Sequence, residues 1–317
     1  MRITWLTEGN WTGRIPRDHR NMRNDAAWMC VLDADHQPLF GQWNNKKYDL
    51  AIITLPKKNF EHLVQNNVEI VDLVRQKLAT KVAVIQEGPH EYFTDYKVNE
   101  QIWFLNQLSA TDFLLCHNKY DKIYYEGLFP NKSVHILITL MIDDQINDLP
   151  KVERENVIIG GNFCSWYNGT ISFLVASELE IPIFAPSMGR RVPNEEQVGI
   201  NHLPYMDWLD WMRKLNEFRY AVHLMPVVAA GTFSINCAKI GLPCISNEKI
   251  DTQRLCFPEL SIDINDIGKA KKLLLRLRDD QSFYDYCSER AQKHYLMNYS
   301  EEVFMIKFKE IVKNESI

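Results

Sequence analysis

The chain has 317 residues, of which 46% are hydrophobic and 24% are charged, the composition of a globular protein. This length exceeds one ordinary domain and predicts two domains of about 150 residues each. The net charge of −5 argues against a broadly basic nucleic-acid-binding surface. No apolar run approaches the roughly 20 residues of a membrane span, and the Arg-rich start is unlike a signal peptide.

Seven cysteines are spread along the chain without a Cys-x-x-Cys pair, and most of them lie inside apolar runs. Buried thiols of this kind are typical of a reducing compartment. We therefore expect a cytoplasmic protein.

The first half of the chain alternates predicted strands with predicted helices. Strands are predicted at Arg2–Thr7, Tyr48–Leu55, Lys81–Gln86, Asp112–Cys116 and Ser133–Ile138. Helices are predicted at Asp25–Leu32, Phe60–Lys77 and Asn99–Leu108. The nearly continuous apolar strands suit a parallel sheet that helices cover on both faces. Repeated strand–helix units predict a doubly wound α/β domain over residues 1–141.

A polar segment at residues 142–156 predicts a linker, after which the alternation restarts. Strands are predicted at Val157–Gly161, Ile181–Ala185, Leu203–Tyr205, Tyr220–Leu224 and Pro243–Ser246. Helices are predicted at Thr170–Leu179, Met206–Phe218, a short segment from Gly231, Gly268–Leu277, Gln281–Leu296 and Ser300–Val312. We expect a second Rossmann-like domain over 157–298, and a helix over 299–317 that packs back on the first domain.

The segment from Gly231 to Ile245 is the most informative motif. It follows an apolar strand and predicts a short helix that opens on Gly231 and ends at Gly241, where Pro243 prevents its continuation. The unpaired N–H groups at such a helix start, with the positive end of the dipole, suit a phosphate. The predicted nucleotide-binding residues here are Gly231, Thr232, Phe233, Ser234 and Asn236.

Two further strand ends carry small or polar residues that suit ligand binding. Gly160 and Gly161, followed by Asn162, allow close backbone approach to a ligand, although a tight turn explains the two glycines equally well. Their spacing matches neither the dinucleotide-binding glycine pattern nor the P-loop. Glu8 and Gly9 end the first strand and are predicted to face the same ligand.

The segment Gln86–His90 lies at the carboxyl end of a buried strand, where open α/β sheets bind ligands. A Gly-Pro turn holds Glu87 and His90 there, and Glu87 is the predicted general base for an acceptor hydroxyl. Alternatively, Glu87 caps the next helix or pairs with an arginine of residues 14–23.

Arg14, Arg17 and Arg20 lie in a locally basic segment that predicts contacts to acceptor phosphates, a solvated helix face being the alternative. Asp33 and Asp35 resemble a metal-binding acidic pair but trail a predicted helix, which favours a solvated helix terminus. No metal ligand is assigned to the protein.

These pieces together resemble a GT-B glycosyltransferase. More narrowly, three segments are similar to the phage glucosyltransferases that modify 5-hydroxymethylcytosine in DNA. These segments are Val157–Phe163, the stretch from Thr232 to Arg254, and Lys81–Glu87. The resemblance implies two Rossmann-like domains facing across a cleft, with a helical C-terminal tail. It implies a UDP-sugar donor held by the C-terminal domain and no tightly bound cofactor, with a divalent cation (Mg or Mn) as a possible addition. If the chain is phage-encoded, the expected location is the host cytoplasm.

The chain departs from that family at three places. In that family two arginines hold the donor diphosphate, and the corresponding positions of this chain lie near Cys164 and Asn168. Arg190 and Arg191 are therefore the candidates to supply that charge. The glutamate that binds the donor ribose falls near Asn236. Glu87 lies within about one residue of the catalytic aspartate. The implied reaction is in-line transfer with Glu87 as base, which inverts the sugar, and a retaining mechanism is open if Glu87 is misassigned.

Three functions follow. The preferred one is sugar transfer to 5-hydroxymethylcytosine in double-stranded phage DNA, with Arg14, Arg17, Arg20 and His90 binding the acceptor. The alternative is transfer to a cell-surface or capsular saccharide, which the acidic net charge favours. A non-catalytic nucleotide- or sugar-binding module is the third, supported by the missing diphosphate arginines.

Overall fold

The computed structural model describes residues 1–9, 11, 13–56, 60–186 and 191–317. The chain forms two compact units. The first consists of Met1–His19, Arg23–Leu140 and the C-terminal Glu301–Ile317; the second consists of Arg20–Met22 and Met141–Ser300.

The first unit is built on a six-stranded parallel sheet with the order β2-β1-β3-β4-β5-β6. Its strands are β1 (Ile3–Thr7), β2 (Asp35–Pro38), β3 (Tyr48–Leu55), β4 (Ala79–Gln86), β5 (Phe113–Cys116) and β6 (Val134–Ile136). Its helices are α1 (Asp25–Val31), α2 (Glu61–Gln65), α3 (Ile70–Lys77), α4 (Val98–Ala110), α5 (Lys119–Leu128) and, at the C-terminus of the chain, α12 (Glu301–Asn314).

The core of this unit lies between sheet and helices. Leu50, Ile52 and Ile53 of β3 and Val82 and Val84 of β4 are fully buried, because helices cover both sheet faces. The predicted doubly wound architecture is confirmed.

Three local features of this half differ from what the sequence predicts. The single helix predicted over Phe60–Lys77 is two helices, because Asn67 takes a left-handed conformation (φ 49°) that interrupts the helical path. Asp33, also left-handed (φ 51°), ends the turn after α1, and Asp35 opens β2 rather than trailing a helix. Helix α5, which the sequence analysis did not predict, begins at a side-chain cap: Asn118 Oδ1 accepts the N–H groups of Tyr120 and Asp121.

The second unit holds another six-stranded parallel sheet, with the order β12-β11-β10-β7-β8-β9. Its strands are β7 (Glu155–Ile159), β8 (Ile183–Ala185), β9 (Asn201–His202), β10 (Phe218–His223), β11 (Cys244–Asn247) and β12 (Ser261–Ile262). Its helices are α6 (Gly169–Ala176), α7 (Trp208–Leu215), α8 (Thr232–Lys239), α9 (Asp251–Cys256), α10 (Ile267–Asp279) and α11 (Gln281–Tyr299).

Several predicted boundaries in this half shift by one to three residues. The helix predicted from Met206 begins at Trp208, because the Asp207 side chain accepts the N–H of Asp210 and caps it there. The strand predicted at Leu203–Tyr205 lies two residues earlier, as β9. Among the described residues, no helix combines the length and apolar character needed to cross a lipid bilayer.

Candidate functional site

The helix start at Gly231 has the geometry that its sequence predicts. Gly231 is left-handed (φ 71°), and a Cβ atom there would lie 1.8 Å from Thr252 Oγ1, so both backbone and space require glycine. Thr252 Oγ1 donates a hydrogen bond of 2.9 Å to the Gly231 carbonyl oxygen. Helix α8 therefore starts at a fixed point beyond the carboxyl end of β10, and the N–H groups of its first turn lack intrahelical acceptors.

Two polar side chains of α8, Ser234 and Asn236, face protein rather than an open surface. Ser234 is buried, and its hydroxyl donates to Gln253 Oε1 at 2.9 Å. Asn236 is buried, and its Oδ1 accepts the Trp208 indole N–H at 3.4 Å. The Phe233 ring packs edge-on against His223, with centroids 5.0 Å apart. Anion binding by this helix would thus use backbone N–H groups. Asn236, which the resemblance places near the ribose-binding position, is a buried partner of Trp208.

The glycines after β7 are required by packing. A Cβ atom on Gly160 would lie 2.3 Å from His223 Cγ, and one on Gly161 would lie 2.4 Å from Tyr167 Cγ. The next residue, Asn162, is buried, and its Oδ1 accepts the Cys164 N–H at 3.2 Å. Its Nδ2 is buried without a hydrogen-bond partner among the described residues. A buried amide donor without a partner is costly in a folded protein, which marks this turn as a ligand-binding candidate.

A second unmatched polar atom lies at the end of β10. His223 is 6% exposed, and burial lowers its pKa to about 4, so the ring is neutral at physiological pH. Within the described part of the chain, its Nε2 has no hydrogen-bond partner. A neutral imidazole and an amide donor suit hydroxyl groups better than a diphosphate.

Glu195 is a buried carboxylate that the sequence analysis missed. Its Oε1 accepts the N–H groups of Phe163 (3.3 Å) and Val192 (2.6 Å), and its Oε2 lies 3.3 Å from Nε2 of the mostly buried His202. Burial, together with the nearby charge of Arg191, lowers the His202 pKa. No motif marks Glu195, because its contact with Phe163 spans 32 residues of sequence. Arg191 itself is exposed, and the predicted Arg190 lies outside the described residues.

In the first unit, Glu8 and Gly9 follow β1 directly. Glu8 is exposed, and the Gly9 N–H donates to Thr7 Oγ1 at 2.9 Å. A Cβ on Gly9 would lie 2.5 Å from the Trp11 ring, so Trp11 accounts for the glycine at this position.

The turn after β4 carries Glu87 and is held in place on both sides. The Glu87 N–H donates to the Leu55 carbonyl oxygen at 2.8 Å, and Gly88 is left-handed (φ 88°) with the Tyr92 ring beside it. Burial and then the Glu87 charge raise the pKa of Tyr96, which places Tyr96 near this carboxylate. The half-buried Glu87 thus sits at a defined position at the carboxyl end of β4.

His90 is fixed by a buried carboxylate. Its Nδ1 and its backbone N–H both contact Asp121 Oδ1, at 2.7 and 3.1 Å. The Asn118 side-chain amide donates to Asp121 Oδ2 at 2.7 Å.

One oxygen or nitrogen atom from each of His90, Glu91 and Asp121 comes within 4.8 Å of the others, close enough to suggest a cation site. The hydrogen bonds do not fit one, because the Asp121 carboxylate already accepts three N–H donors: the His90 backbone N–H, His90 Nδ1 and the Asn118 side-chain amide.

The three predicted acceptor-binding arginines are all exposed and paired with carboxylates. Arg14 contacts Asp33 at 2.6 Å; Arg17 forms a bidentate pair with Glu301, at 3.1 and 2.7 Å; Arg20 contacts Asp207 and Asp210. To bind an acceptor phosphate, each of these arginines would have to leave its carboxylate. Surface ion pairs are weak, so this exchange costs little.

Solved structures of similar fold include glycosyltransferases of the GT-B class. An alpha-glucosyltransferase in complex with UDP-glucose and DNA containing an abasic site aligns over 100% of both chains, with a TM-score of 0.68 and 11% identity. A trehalose-6-phosphate synthase aligns over 98% of this chain and 93% of its own, with a TM-score of 0.63 and 10% identity. Sucrose-phosphate synthase from Thermosynechococcus elongatus aligns over 84% and 73%, with a TM-score of 0.58 and 12% identity.

No family model matches the sequence, and no curated protein matches it either. The predicted resemblance is confirmed at the level of fold: the two parallel sheets with their flanking helices are those of the GT-B glycosyltransferases.

Proposed function

We propose that this chain, which carries the GT-B fold, is a glycosyltransferase that moves a sugar from a UDP-linked donor to an acceptor hydroxyl. The observation that carries the proposal is the glycine-opened helix α8 at the carboxyl end of β10, because ligands of open α/β sheets bind at that edge. Structures of similar fold contain UDP-glucose or UDP, which supports a UDP-linked donor.

The donor diphosphate binds at the first turn of α8, where backbone N–H groups and the helix dipole stabilise negative charge. Arg191 and the predicted Arg190 supply positive charge. The donor hydroxyls pair with Asn162 Nδ2 and His223, which explains why these buried atoms have no partner among the described residues. This arrangement stabilises the UDP leaving group more strongly in the transition state, where its negative charge develops, than in the bound donor. Such electrostatic stabilisation is usually the largest contribution to catalysis.

Glu87 acts on the acceptor. The acceptor oxygen forms a bond to the anomeric carbon, the bond from that carbon to the UDP oxygen breaks, and Glu87 takes the hydroxyl proton. A single in-line displacement inverts the sugar, whereas transfer with retention has been described for a trehalose-6-phosphate synthase of similar fold. The anomeric configuration of the product separates the two courses.

We favour 5-hydroxymethylcytosine in double-stranded DNA as the acceptor. The end-to-end alignment with an alpha-glucosyltransferase bound to DNA supports this choice. A saccharide acceptor is the second candidate, and one observation favours it: Arg14, Arg17 and Arg20 already pair with carboxylates. An acceptor without phosphates would not need them.

The test is incubation with UDP-glucose, UDP-galactose, UDP-xylose and UDP-N-acetylglucosamine in turn, together with 5-hydroxymethylcytosine DNA. Unmodified DNA of the same sequence is the control, and nucleoside mass spectrometry reads the product. A sugar-sized mass gain on the modified base alone supports DNA as the acceptor. Acceptor-independent UDP release without that gain moves the proposal to a saccharide. Donor binding without turnover of any kind contradicts an enzyme and leaves a binding module.

A further inference from the structure

A chain of hydrogen bonds leads from the start of α5 to the imidazole of His90. Asn118 caps the helix through Oδ1 and donates its side-chain N–H to Asp121 Oδ2 at 2.7 Å. Asp121 Oδ1 in turn accepts from His90 Nδ1 at 2.7 Å. The Asp121 side chain is only 2% exposed, whereas that of His90 is 22% exposed. A buried carboxylate thus holds a ring that reaches solvent.

These contacts determine the tautomer of His90. An ionised carboxylate only accepts hydrogen bonds, so the Nδ1 atom carries the proton. Nε2 is then the acceptor nitrogen, and no described residue offers it a hydrogen bond. The ring also stacks on Tyr124, with centroids 4.1 Å apart, which fixes its plane. An imidazole oriented by a buried carboxylate, with its other nitrogen open, is the arrangement of a general base.

The groups that face His90 are mostly acidic. Asp121 and the phenol of Tyr124 approach from α5, Glu91 lies 3.6 Å from Nδ1 on its own segment, and Glu87 precedes it in the same turn. Burial alone would lower the His90 pKa, but the Asp121 hydrogen bond and the charges of Glu91 and Asp121 outweigh it, so the pKa is raised. Burial raises the pKa of Tyr124, so its phenol stays neutral. This negative surrounding repels phosphates and stabilises an imidazolium.

We propose that His90 is a proton-relay residue of the transfer reaction, positioned by Asp121, and that it receives at Nε2 the proton that Glu87 draws from the acceptor hydroxyl. The inference rests on the proposed function. The O–H bond of the acceptor breaks as Glu87 binds the proton; the proton then passes to Nε2, since imidazole is intrinsically a stronger base than a carboxylate. The imidazolium, paired with Asp121, returns the proton to solvent.

The test compares kcat against pH for the wild type, His90→Asn and Asp121→Asn, with the exposed His62→Asn as matched control. Asparagine at position 90 can still donate to Asp121 but offers no basic nitrogen. We expect His90→Asn to lower kcat about 100-fold with little change in donor KM, and to remove the rise of kcat with pH. Asp121→Asn should keep that rise but move it to lower pH, because the group that raises the His90 pKa is lost.

NMR of protein carrying ¹⁵N-labelled histidine measures the tautomer and pKa of His90 without any substrate. The inference requires an Nδ1–H tautomer and a pKa that coincides with the rise of kcat in the wild type. If His90→Asn does not fold, the Asp121→Asn shift and this coincidence decide the matter.

Wild-type kcat and pH dependence in His90→Asn would overturn the inference while leaving the transferase intact. So would a Mn²⁺ requirement that His90→Asn abolishes, since a metal ligand is not a proton relay. A wild type that turns over no donor refutes the proposed function instead, whatever the NMR titration shows.

Discussion

Thr252 Oγ1 occupies the space that a side chain on Gly231 would need: a Cβ there would lie 1.8 Å from it, while the hydroxyl donates to the Gly231 carbonyl oxygen at 2.9 Å. The contact joins the start of α9 to the start of α8 in the second unit. The position of the helix start that we assign to the donor diphosphate therefore depends on the absence of one methyl group.

Gly231→Ala should destabilise the protein and weaken UDP binding. Gly199→Ala is the matched control, because Gly199 is also left-handed (φ 73°) but has nothing within 4 Å of a Cβ. We expect about 1–2 kcal/mol for the backbone in both variants, and about 1–3 kcal/mol more for overpacking in Gly231→Ala alone. Denaturant unfolding and calorimetric titration with UDP measure the two effects. Equal losses in the two variants would refute the role of Thr252.

Glu87→Gln should lower kcat by about 10²–10⁴-fold, the usual contribution of a general base, with donor KM nearly unchanged. Gln keeps the size and a hydrogen-bonding oxygen of Glu but cannot take the proton. Steady-state kinetics with the acceptor found in the sugar-donor panel measure the effect, and the exposed Glu61→Gln serves as control. A variant with wild-type kcat would exclude Glu87 as the base.

His223→Phe should make the protein less sensitive to acid. Burial holds the His223 pKa at about 4, whereas an unfolded histidine titrates near about 6.5. Its lowered pKa means that its contribution to stability is complete above about pH 6.5 and is lost as the pH falls towards 4, about 3 kcal/mol in all.

The measurement for this variant is the free energy of unfolding at several pH values. The difference in unfolding free energy between wild type and His223→Phe should not depend on pH above about pH 6.5. Below that pH its slope should correspond to the uptake of up to one proton, about 1.4 kcal/mol per pH unit. At neutral pH the variant should be no less stable, because it removes an unmatched buried nitrogen, yet it should bind the donor less tightly. A pH-independent difference would show that folding does not lower the His223 pKa.

Arg17→Gln and Glu301→Gln should have opposite effects if DNA is the acceptor. The first removes a cation, and the second removes the carboxylate charge that pairs with it, because Arg17 and Glu301 form a bidentate pair. We expect Arg17→Gln to weaken DNA binding and reduce the slope of log K against log salt by about one. Glu301→Gln should tighten binding. If DNA affinity responds to neither, Arg17 does not contact phosphate, and the saccharide acceptor gains support.

Much of the architecture follows from local sequence pattern. The continuously apolar β3 predicts a strand buried on both faces, and α10 and α11 begin where Asp266 and Asp280 cap them, close to the predicted starts. Short polar elements were missed for the same reason: β2 (Asp35–Pro38) is an edge strand that ends on a proline and has no apolar pattern.

By itself, then, the sequence determined the two-sheet α/β class, the glycine-opened helix at Gly231 and the strand end that carries Glu87. These features depend on neighbours within a few residues, where hydrophobic periodicity and glycine conformation act.

Only the tertiary structure decided which side chains meet. Asp121 contacts His90, which is 31 residues away in sequence, and the Trp208 indole N–H donates to Asn236 Oδ1, which is 28 residues away. The order of strands in the sheet and the direction of each buried side chain set such pairs. That is why the sequence could suggest His90 as a candidate, whereas only the fold showed that the Asp121 carboxylate holds it.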